Sequence, residues 1–309
     1  MPRLRCRVDS RCLQLLLLLL AFLFNWCSVC SSEVESQIPT IDTDKKRLAI
    51  IVPFRDRFEE LLEFVPHMTA FLKRQEIPFH IFVIQQKDKN RFNRASLINV
   101  GFLKTRSHYE YIAMHDVDLL PLNDNLKYEY PEKGPCHIPS PETHPKYSYK
   151  YYAGGIVLVT REHYELVNGM SNQYWGWGME DDEFYVRLKD AGLTFNRPSN
   201  ITTGRKNTFR HIHDDAYRVR DKRRCYNQLE MTRRRDRRTG LHDVAHRVLS
   251  LHTLTIDGLP LTVLSVELIC DRNATPWCQC PETREPEMSF TSNYENHVFH
   301  EYNVCYKNK

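Results

Sequence analysis

The sequence has no strong excess of charge, no internal repeat and no compositional bias. Lysine and arginine number 43 against 39 aspartates and glutamates, so the formal net charge of the 309 residues is only +4. A balance this mild gives no reason to expect nucleic acid as a partner. Only 11 glycines occur, and 41% of residues are hydrophobic and 27% charged. These proportions exclude collagen, wholesale disorder and a membrane protein of several spans, and fit one large α/β domain or two smaller ones.

An apolar run is present near the N-terminus. From Leu13 to Phe24 every residue except Gln14 is apolar, and residues 12–30 provide the roughly 17–25 positions that cross a bilayer. Arginines precede the run and glutamates follow it, so the positive-inside rule places the N-terminus in the cytosol. A cleaved signal peptide is the alternative, because the run is short. The predicted segments are a cytosolic tail (1–11), a transmembrane signal anchor (12–30), a stem (31–46) and a luminal domain (47–309) with a cysteine-containing segment from about 250.

The cysteines indicate disulfide bonds in that luminal domain. Of ten cysteines, four lie in or beside the apolar run. The other six are Cys136, Cys225, Cys270, Cys278, Cys280 and Cys305. Their spacing does not determine the pairing. A zinc site built from the last four is the alternative, but these contain no CxxC pair, so disulfides are favoured. Two sequons, beginning at Asn200 and Asn273, permit N-glycosylation.

Strand and helix patterns alternate from Leu48 onward. Strands are predicted at 48–52, 79–84 and 111–115, with helices at 56–74 and 94–105 between them. A β-α-β-α-β order implies a parallel sheet with right-handed crossovers, and such sheets bind ligands beyond the carboxyl ends of their strands. A strand at 153–160, a helix at 180–191 and a hairpin around Asp257-Gly258 are predicted further along.

Two clusters have the residue types of a divalent-cation site. Asp116-Val117-Asp118 directly follows a predicted strand, so one carboxylate can meet a hydroxyl and the other a cation on a diphosphate. Alone, this pattern is more often a helix cap or a solvated turn. His211-Ile212-His213 places two imidazoles on one side of a predicted strand, where the alternative is a pair of surface histidines. Two imidazoles with one carboxylate suit Mn²⁺ better than a closed zinc site.

A third cluster combines aromatic and acidic residues within nine positions. The stretch from Trp175 to Glu183 reads Trp-Gly-Trp-Gly-Met-Glu-Asp-Asp-Glu. A core tryptophan pair and an acidic helix start explain any one of these residues but not all of them together. Tryptophan faces bind sugars, and a nearby carboxylate can act as the base on a sugar hydroxyl.

A longer series of motifs resembles the β-1,4-galactosyltransferases. The motifs occur in order between Leu48 and Tyr226. They are Pro53-Phe-Arg-Asp-Arg57, Phe92-Asn-Arg-Ala95 with Asn99-Val-Gly-Phe102, Asp116-Val-Asp-Leu119, Tyr152-Ala-Gly-Gly155 and Trp175-Gly-Trp-Gly178 with Glu180-Asp-Asp182. The resemblance implies a GT-A type nucleotide-sugar transferase fold, an α/β fold with a Rossmann-like, mostly parallel sheet. Within the family, His211-Ile-His213 is similar to the branch that transfers galactose to xylose, whereas Met179 and Glu183 replace a usual glycine and a usual aspartate.

The resemblance implies a role for each matching residue. Nucleotide binding is implied for Pro53, Phe54, Arg55, Asp56, Arg57, Phe92, Asn93 and Arg94. Diphosphate and metal contacts are implied for Val117 and Asp118, and Mn²⁺ ligation for Asp118, His211 and His213. Contacts to the nucleotide-sugar are implied for Tyr147, Trp177 and Arg220. Contacts to the donor sugar and the acceptor are implied for Met179, Glu180, Asp181 and Asp182, with Asp181 as the catalytic base.

The implied activity is Mn²⁺-dependent, inverting transfer of galactose from UDP-galactose to the 4-hydroxyl of β-xylose on proteoglycan core proteins, by a Golgi membrane enzyme. A glycosidase usually needs two carboxylates flanking the bond that breaks, and adjacent Asp181 and Asp182 on a helix start fit that requirement poorly. Two alternatives stay open: transfer to N-acetylglucosamine, and a non-catalytic module that binds UDP and sugar.

A basic run at 233–238 has two interpretations. Five of its six residues are arginines. The run can attract an acidic proteoglycan chain or core protein, whereas runs of this kind are more often merely solvated.

Overall fold

The computed structural model describes residues 45–281. The predicted cytosolic tail, the anchor, nearly all of the stem and Cys305 lie outside the described residues. Within 45–281, no helix combines the length and the apolar character that a membrane span requires.

Strands and helices alternate through the first half of the described chain. The first elements are β1 (Leu48–Phe54), α1 (Phe58–Lys73), β2 (Phe79–Gln86), α2 (Arg94–Thr105), β3 (Tyr111–His115), β4 (Leu119–Pro121), β5 (Cys136–His137) and β6 (Ile156–Thr160). The later elements are α3 (Arg161–Leu166), α4 (Glu180–Asp190), α5 (Arg205–Thr208), β7 (Phe209–His211), α6 (Gln228–Arg233), β8 (His246–Ile256), β9 (Leu259–Leu268) and a 3₁₀ turn (Pro276–Cys278).

Seven strands form one sheet in the order β5-β6-β3-β1-β2-β9-β8. Strand β1 pairs in parallel with β2 and β3, and β2 pairs in parallel with β9. The predicted α/β alternation is therefore confirmed at the centre of the sheet. Strands β6, β5 and β8 pair antiparallel with their neighbours. The β8–β9 pair is antiparallel because Asp257 and Gly258, with φ of 50° and 74°, form the predicted two-residue turn.

The central sheet is buried because helices cover both of its faces. All seven residues of β1 are buried, as expected for a parallel strand between two helical layers. Ile50 packs in the cluster that contains Phe64 of α1, and Ile51 packs in the cluster that contains Ile98 of α2. A Cβ atom at Gly101 of α2 would lie 2.5 Å from Ile51 Cγ2. Helix α2 therefore approaches the sheet closely, which fixes where its first residue, Arg94, lies.

Several predicted bounds differ from the observed ones: β1 and β2 each run two residues further, and α4 ends one residue earlier, at Asp190. Helix α1 begins at Phe58 and not at 56, because Asp56 has a φ of 52°. Strand β6 begins at Ile156 and not at 153, because Gly155 has a φ of 81°. Strand β7 ends at His211, so the prediction that one strand carries both histidines is wrong, and His213 lies in the segment after it.

Two disulfides hold the C-terminal part of the described chain. Cys225 bonds to Cys280 and Cys270 bonds to Cys278. These bonds confirm the predicted disulfides for Cys225, Cys270, Cys278 and Cys280, whereas Cys136 forms no disulfide within residues 45–281.

Candidate active site

The site forms where the carboxyl ends of the central strands meet the first turns of two helices. Asp116 directly follows β3, Arg94 is the first residue of α2 and Asp181 is the second residue of α4. Arg94 donates from Nε to Asp116 Oδ1 at 2.7 Å and from a terminal nitrogen to Asp181 Oδ1 at 2.9 Å. One guanidinium therefore joins two carboxylates that are 65 residues apart in the chain.

Burial and the oppositely charged neighbours shift the pKa values of Arg94 and Asp181 in opposite directions. Burial lowers the pKa of Arg94, but the carboxylates of Asp116 and Asp181 raise it overall. Burial raises the pKa of Asp181 well above its usual range, and Arg94 offsets only part of that rise. A carboxylate with a raised pKa is a stronger base than an ordinary aspartate, as general base catalysis near neutral pH requires.

Glycine makes room for the Asp181 carboxylate. A Cβ atom at Gly154 would lie 2.4 Å from Asp181 Oδ2, so any larger residue there would displace the carboxylate. This close approach gives the Tyr152-Ala-Gly-Gly155 motif a physical purpose, which the sequence alone did not reveal.

The two residues next to Asp181 in the chain, Glu180 and Asp182, do not take part in the Arg94 bridge. The Asp182 carboxylate accepts a hydrogen bond from the Tyr149 hydroxyl at 3.3 Å, and burial raises its pKa. Glu180 is buried, its Oε2 atom has no hydrogen-bond partner among residues 45–281, and burial raises its pKa. The three carboxylates at the start of α4 therefore have three different environments.

A two-stranded sheet brings the predicted metal ligands together. Strand β4 pairs antiparallel with β7, with Leu119 opposite His211, and Ile212 N donates to Asp118 O at 2.9 Å. His213 Nδ1 lies 3.0 Å from Asp118 Oδ2, and His211 Nε2 lies 4.0 Å from Asp118 Oδ1. Because these contacts join residues about 95 positions apart, the fold and not the local sequence assembles the cluster.

The donor set of this cluster is suited to a divalent cation. Burial lowers the pKa of His211 although Asp118 opposes this, which favours the neutral imidazole that binds metals. His213 is 2% exposed, and its Nε2 atom makes no hydrogen bond within the described chain although Asp215 Oδ1 lies 3.1 Å away. No group of three or more histidine, cysteine, aspartate or glutamate side chains among residues 45–281 is arranged so that it could hold a metal ion. Asp118, His211 and His213 therefore fit Mn²⁺ by residue type and not by their present geometry.

The predicted nucleotide residues line the end of β1 and the segment before α2. Arg55 donates to Asn90 O at 2.7 Å and to Asp88 O at 3.1 Å, and its guanidinium lies 5.8 Å from the Phe92 ring. Arg57 contacts Glu60 at 3.1 Å and His213 Nδ1 at 3.5 Å, which places it beside the candidate metal ligands. At the end of β1, Pro53 and Phe54 are buried, and Asp56 lies two residues after the strand. Val117, which follows β3, is also buried.

Asn93 has a structural role in this fold. Its side chain is fully buried, accepts from Ser96 N at 2.9 Å as the N-cap of α2, and donates to Asn172 O at 2.9 Å. The cap fixes the start of the helix at Arg94. Asn93 therefore supports the site by placing Arg94.

Aromatic and basic side chains form a platform beside the carboxylates. The rings of Tyr147 and Trp177 lie 6.4 Å apart, and the Arg220 guanidinium lies 5.8 Å from the Trp177 ring. Burial raises the pKa of Tyr147 to about 12, so its hydroxyl remains a donor at neutral pH. Tyr147 and Arg220 lie outside the strongest motifs, yet the fold places both beside Trp177. Met179, the N-cap of α4, has a left-handed φ of 77°.

Three supporting residues were not predicted. His144 Nδ1 accepts from the backbone nitrogens of Lys146 and Tyr147 at 3.0 and 2.9 Å, which holds the Tyr147 backbone in place. Tyr149 contacts Asp182 as described above. Arg91 is 6% exposed, and a Cβ atom at Gly176 would lie 1.9 Å from its guanidinium. No local pattern marks Tyr149 or Arg91, because their partners are distant in sequence.

Two family models match the chain. The N-terminal region of glycosyl transferase group 7 matches residues 32–131, and the N-terminal domain of galactosyltransferase matches residues 134–212. The chain is 62% identical to β-1,4-galactosyltransferase 7 of Drosophila melanogaster over 238 residues, which cover 77% of this chain and 74% of that protein. It is 48% identical to the xylosylprotein 4-β-galactosyltransferase of Caenorhabditis elegans over 244 residues, which cover 77% of this chain and 84% of that protein.

A solved structure has the same fold. A mutant of Drosophila β-1,4-galactosyltransferase 7, in complex with manganese, UDP-galactose and xylobiose, aligns with a TM-score of 0.76 and 61% identity over 76% of this chain and 100% of that chain. Sequence motifs, strand order and this alignment agree on a GT-A-like α/β fold. The chain therefore belongs to the β-1,4-galactosyltransferase family.

Proposed function

We propose that this protein transfers galactose from UDP-galactose to the 4-hydroxyl of β-xylose on a core protein, with inversion and with Mn²⁺ as cofactor. The observation that carries the proposal is the bridge from Arg94 to Asp116 and Asp181, which sets a basic carboxylate next to the Asp118 cluster. The relatives named for xylosylprotein galactosyl transfer, and the relative whose structure holds manganese, UDP-galactose and xylobiose, support the same reaction.

The donor lies across the strand ends. Arg55 and Phe92 form one wall for the uridine, and Arg57 lies beside Asp118 where the diphosphate approaches. Asp118, His211 and His213 hold Mn²⁺. A bound Mn²⁺ neutralises negative charge on the departing diphosphate as a Lewis acid.

Asp181 acts as the catalytic base. The acceptor oxygen forms a bond to the anomeric carbon while the bond from that carbon to the phosphate oxygen breaks, and UDP leaves with the electron pair. The proton of the acceptor hydroxyl passes to Asp181, whose pKa burial has raised. One displacement from the opposite face inverts the anomeric centre, so an α-linked donor gives a β-linked product. Arg94 holds the carboxylate in place through this transfer.

The acceptor xylose lies on the Trp177 platform. The ring of Trp177 provides an apolar face, and the Tyr149 hydroxyl and the Asp182 carboxylate provide polar contacts next to Asp181. Glu180 has a buried oxygen without a partner, which is suited to accept a hydrogen bond from a sugar hydroxyl.

A direct transfer assay tests the proposal. The full chain is offered UDP-galactose and Mn²⁺ with a β-xyloside and a β-N-acetylglucosaminide side by side, and with Asp181→Asn as the inactive variant. Asp190→Asn, at the exposed far end of the same helix, is the matched control. We expect turnover of the xyloside that requires Mn²⁺ and Asp181 but not Asp190. Preference for the glucosaminide would contradict the acceptor, and UDP binding without any transfer would indicate the non-catalytic module.

We further propose that the chain is a single-pass type II protein of the Golgi membrane. The supporting observations are the apolar run within 12–30, preceded by arginines, and the two disulfides, which form in oxidising compartments. In this topology residues 1–11 are cytosolic, 31–46 form the stem and 47–309 form the luminal catalytic domain. Protease treatment of intact Golgi vesicles tests it: the luminal domain should be protected, and its digestion would contradict the topology.

A further inference from the structure

The positive charge of this protein is concentrated in one segment. Residues 217–238 contain ten lysines and arginines and three acidic residues, a net charge of +7 against +4 for the whole chain. The rest of the chain is therefore slightly acidic. The exposed members, which we call the basic ledge, are Lys222, Arg223, Arg224, Arg233, Arg234, Arg237 and Arg238.

The basic ledge begins at the acceptor platform. Trp177 N donates to Asp221 O at 2.9 Å, and the Lys222 ammonium lies 5.5 Å from the Trp177 ring. Arg224 donates to Trp177 O at 3.1 Å. The first cations of the ledge are thus in contact with the residue on which the acceptor sugar lies.

The outer part of the ledge is fixed to the same loop. Helix α6, which leads into the arginine run, contacts the loop before α4 through Thr232. Its carbonyl accepts from the Tyr174 hydroxyl at 3.0 Å, and its hydroxyl lies 3.7 Å from Met179 Sδ. Arg237 pairs with Asp190 at 3.2 Å, at the far end of α4. The ledge therefore continues from Trp177 along the helix that carries Asp181.

A buried arginine keeps the ledge backbone rigid. Arg91 donates to the Asp221 carboxylate at 2.6 Å, to Arg223 O at 2.9 Å and to Gln228 Oε1 at 2.8 Å. The Cys225–Cys280 disulfide adds a covalent link in the same stretch. The exposed cations consequently project from a backbone that is already ordered, which lowers the entropic cost of binding a partner.

We propose that the basic ledge binds acidic residues of the acceptor polypeptide next to its xylosylated side chain. This inference rests on the proposed function. Only one monosaccharide separates the transferred galactose from that polypeptide, so the polypeptide lies close to the enzyme surface around Trp177. The surface that it meets there is strongly positive, and acidic side chains are the chemistry that this surface recognises.

The ion pairs on the basic ledge can open so that their arginines pair with carboxylates of the acceptor polypeptide. Arg237 and Asp190 are 66% and 49% exposed, and pairs this exposed contribute little to stability. An incoming carboxylate can therefore replace the internal one at low cost. The contribution of the ledge should be largest at low salt, because exposed charges are screened within about 10 Å at 0.1 M.

Two xylosylated peptides test the proposal, one with aspartate and glutamate around the sugar and one with asparagine and glutamine. The variant Arg234→Gln/Arg237→Gln/Arg238→Gln removes three exposed ledge cations. The matched control Lys73→Gln/Arg74→Gln/Lys104→Gln removes three exposed cations from the ends of α1 and α2 that lie away from the site. We expect the ledge variant to lose about 10-fold in kcat/KM for the acidic peptide near 0.02 M salt and under about 2-fold for the neutral peptide, with the control unchanged.

Several outcomes would overturn the proposal. Equal losses with both peptides would mean that the arginines act on the site itself, and no loss with either would mean that the ledge is only solvated. Binding of the acidic peptide, followed by fluorescence anisotropy, is measured separately from turnover. Binding that depends on the ledge without any galactose transfer would support the ledge and refute the proposed function. Binding to anionic lipid vesicles without binding to the peptide would assign the ledge to a membrane surface instead.

Discussion

Two of the arginine–carboxylate pairs on helix α4 differ in their surroundings. At its start, Asp181 pairs with Arg94 at 2.9 Å, and their side chains are 22% and 12% exposed. Further along, Glu183 pairs with Arg187 at 2.7 Å, and their side chains are only 2% and 6% exposed. Arg187 also donates to the backbone carbonyls of Gly169, Asp236 and Thr239.

Under the proposed function, this difference separates a reactive pair from a structural one. Arg187 connects α4 to two other segments and leaves no path for a substrate to reach Glu183. Arg94 instead joins two carboxylates at the strand ends, and Asp181 keeps part of its surface open. The two pairs therefore differ in what the other nitrogens of each arginine contact: a second carboxylate for Arg94, and backbone carbonyls for Arg187. Three predictions test this distinction, and a fourth tests the backbone strain at the start of the same helix.

Removal of the Asp181 charge should give the largest effect on activity. We expect Asp181→Asn to lower kcat by about 10³-fold, because loss of a general base typically costs 10²–10⁴-fold. Arg94 keeps its bond to Asp116 in this variant, so thermal unfolding should stay within about 2 °C of the parent. Initial rates and calorimetry on one preparation measure both. A matching fall in stability would show that this pair is structural as well.

Removal of Arg187 should lower the stability of the protein much more than its activity. Arg187→Met leaves Glu183 buried without its partner, and breaking a buried pair from one side costs about 3–5 kcal/mol of unfolding free energy. The surviving folded fraction should retain most of its kcat. Denaturant unfolding measures the loss, and Glu183→Gln/Arg187→Met, which removes both charges, should recover part of it. Failure of the double variant to recover stability would contradict a pairing role.

As the pH rises, the contribution of Glu183 to stability should fall, whereas the kcat that depends on Asp181 should rise. Burial raises the pKa of Glu183 to about 7, and Glu183 Oε2 has no hydrogen-bond partner among residues 45–281. The folded state therefore holds a proton that the unfolded state has lost above about 4.5. The Glu183 contribution to stability is present below that pH and is lost as pH rises toward 7. Burial also raises the pKa of Asp181, so kcat should rise over a pH range above that of an ordinary aspartate.

Unfolding free energies at pH 5 and 7, with Glu183→Gln as the comparison, measure the first effect. A pH–rate profile at saturating donor measures the second. If the unfolding free energy of Glu183→Gln changed with pH as much as that of the parent, the first prediction would be wrong. If kcat began to fall only near pH 4, the second would be wrong.

The smallest effect concerns the strained start of α4. Met179 has a φ of 77°, which costs a non-glycine residue about 1 kcal/mol. We expect Met179→Gly to raise the unfolding free energy by up to about 1 kcal/mol, whereas Met179→Ala, with the same strain and no sulfur contact to Thr232, should not raise it. Urea unfolding of the three proteins measures this. Equal stability of the glycine and alanine variants would mean that the strain is negligible.

Much of the fold was predictable from sequence, and the reason is local periodicity. The bounds of α2 and β3 agree with the prediction, because apolar spacing signals them. The predicted end of β7 was wrong, because that strand depends on pairing with β4, about 90 residues earlier in the chain. Strand ends set by a distant partner leave no local signal.

The candidate site was predictable by residue type more than by contact. Asp118, His211 and His213 come together as expected, although their assignment as metal ligands remains a prediction. The Arg94 bridge and the buried Arg91 were not predicted, because the partners of the Arg94 guanidinium lie 22 and 87 residues away and those of the Arg91 guanidinium lie 130 to 186 residues away. Asn93 resembles a nucleotide-binding residue in sequence, yet its side chain is engaged as a helix cap.

The position of β9 bears on how the protein is made. This strand lies inside the sheet between β2 and β8, although residues 259–268 are synthesised long after β2. A nascent chain that ends before residue 259 leaves one edge of β2 open, and unpaired strand edges favour aggregation. The Cys225–Cys280 bond forms later still, because Cys280 is translated after β9. The edge of β2 therefore stays open until β9 has been translated, and the disulfide closes only after that edge has been covered.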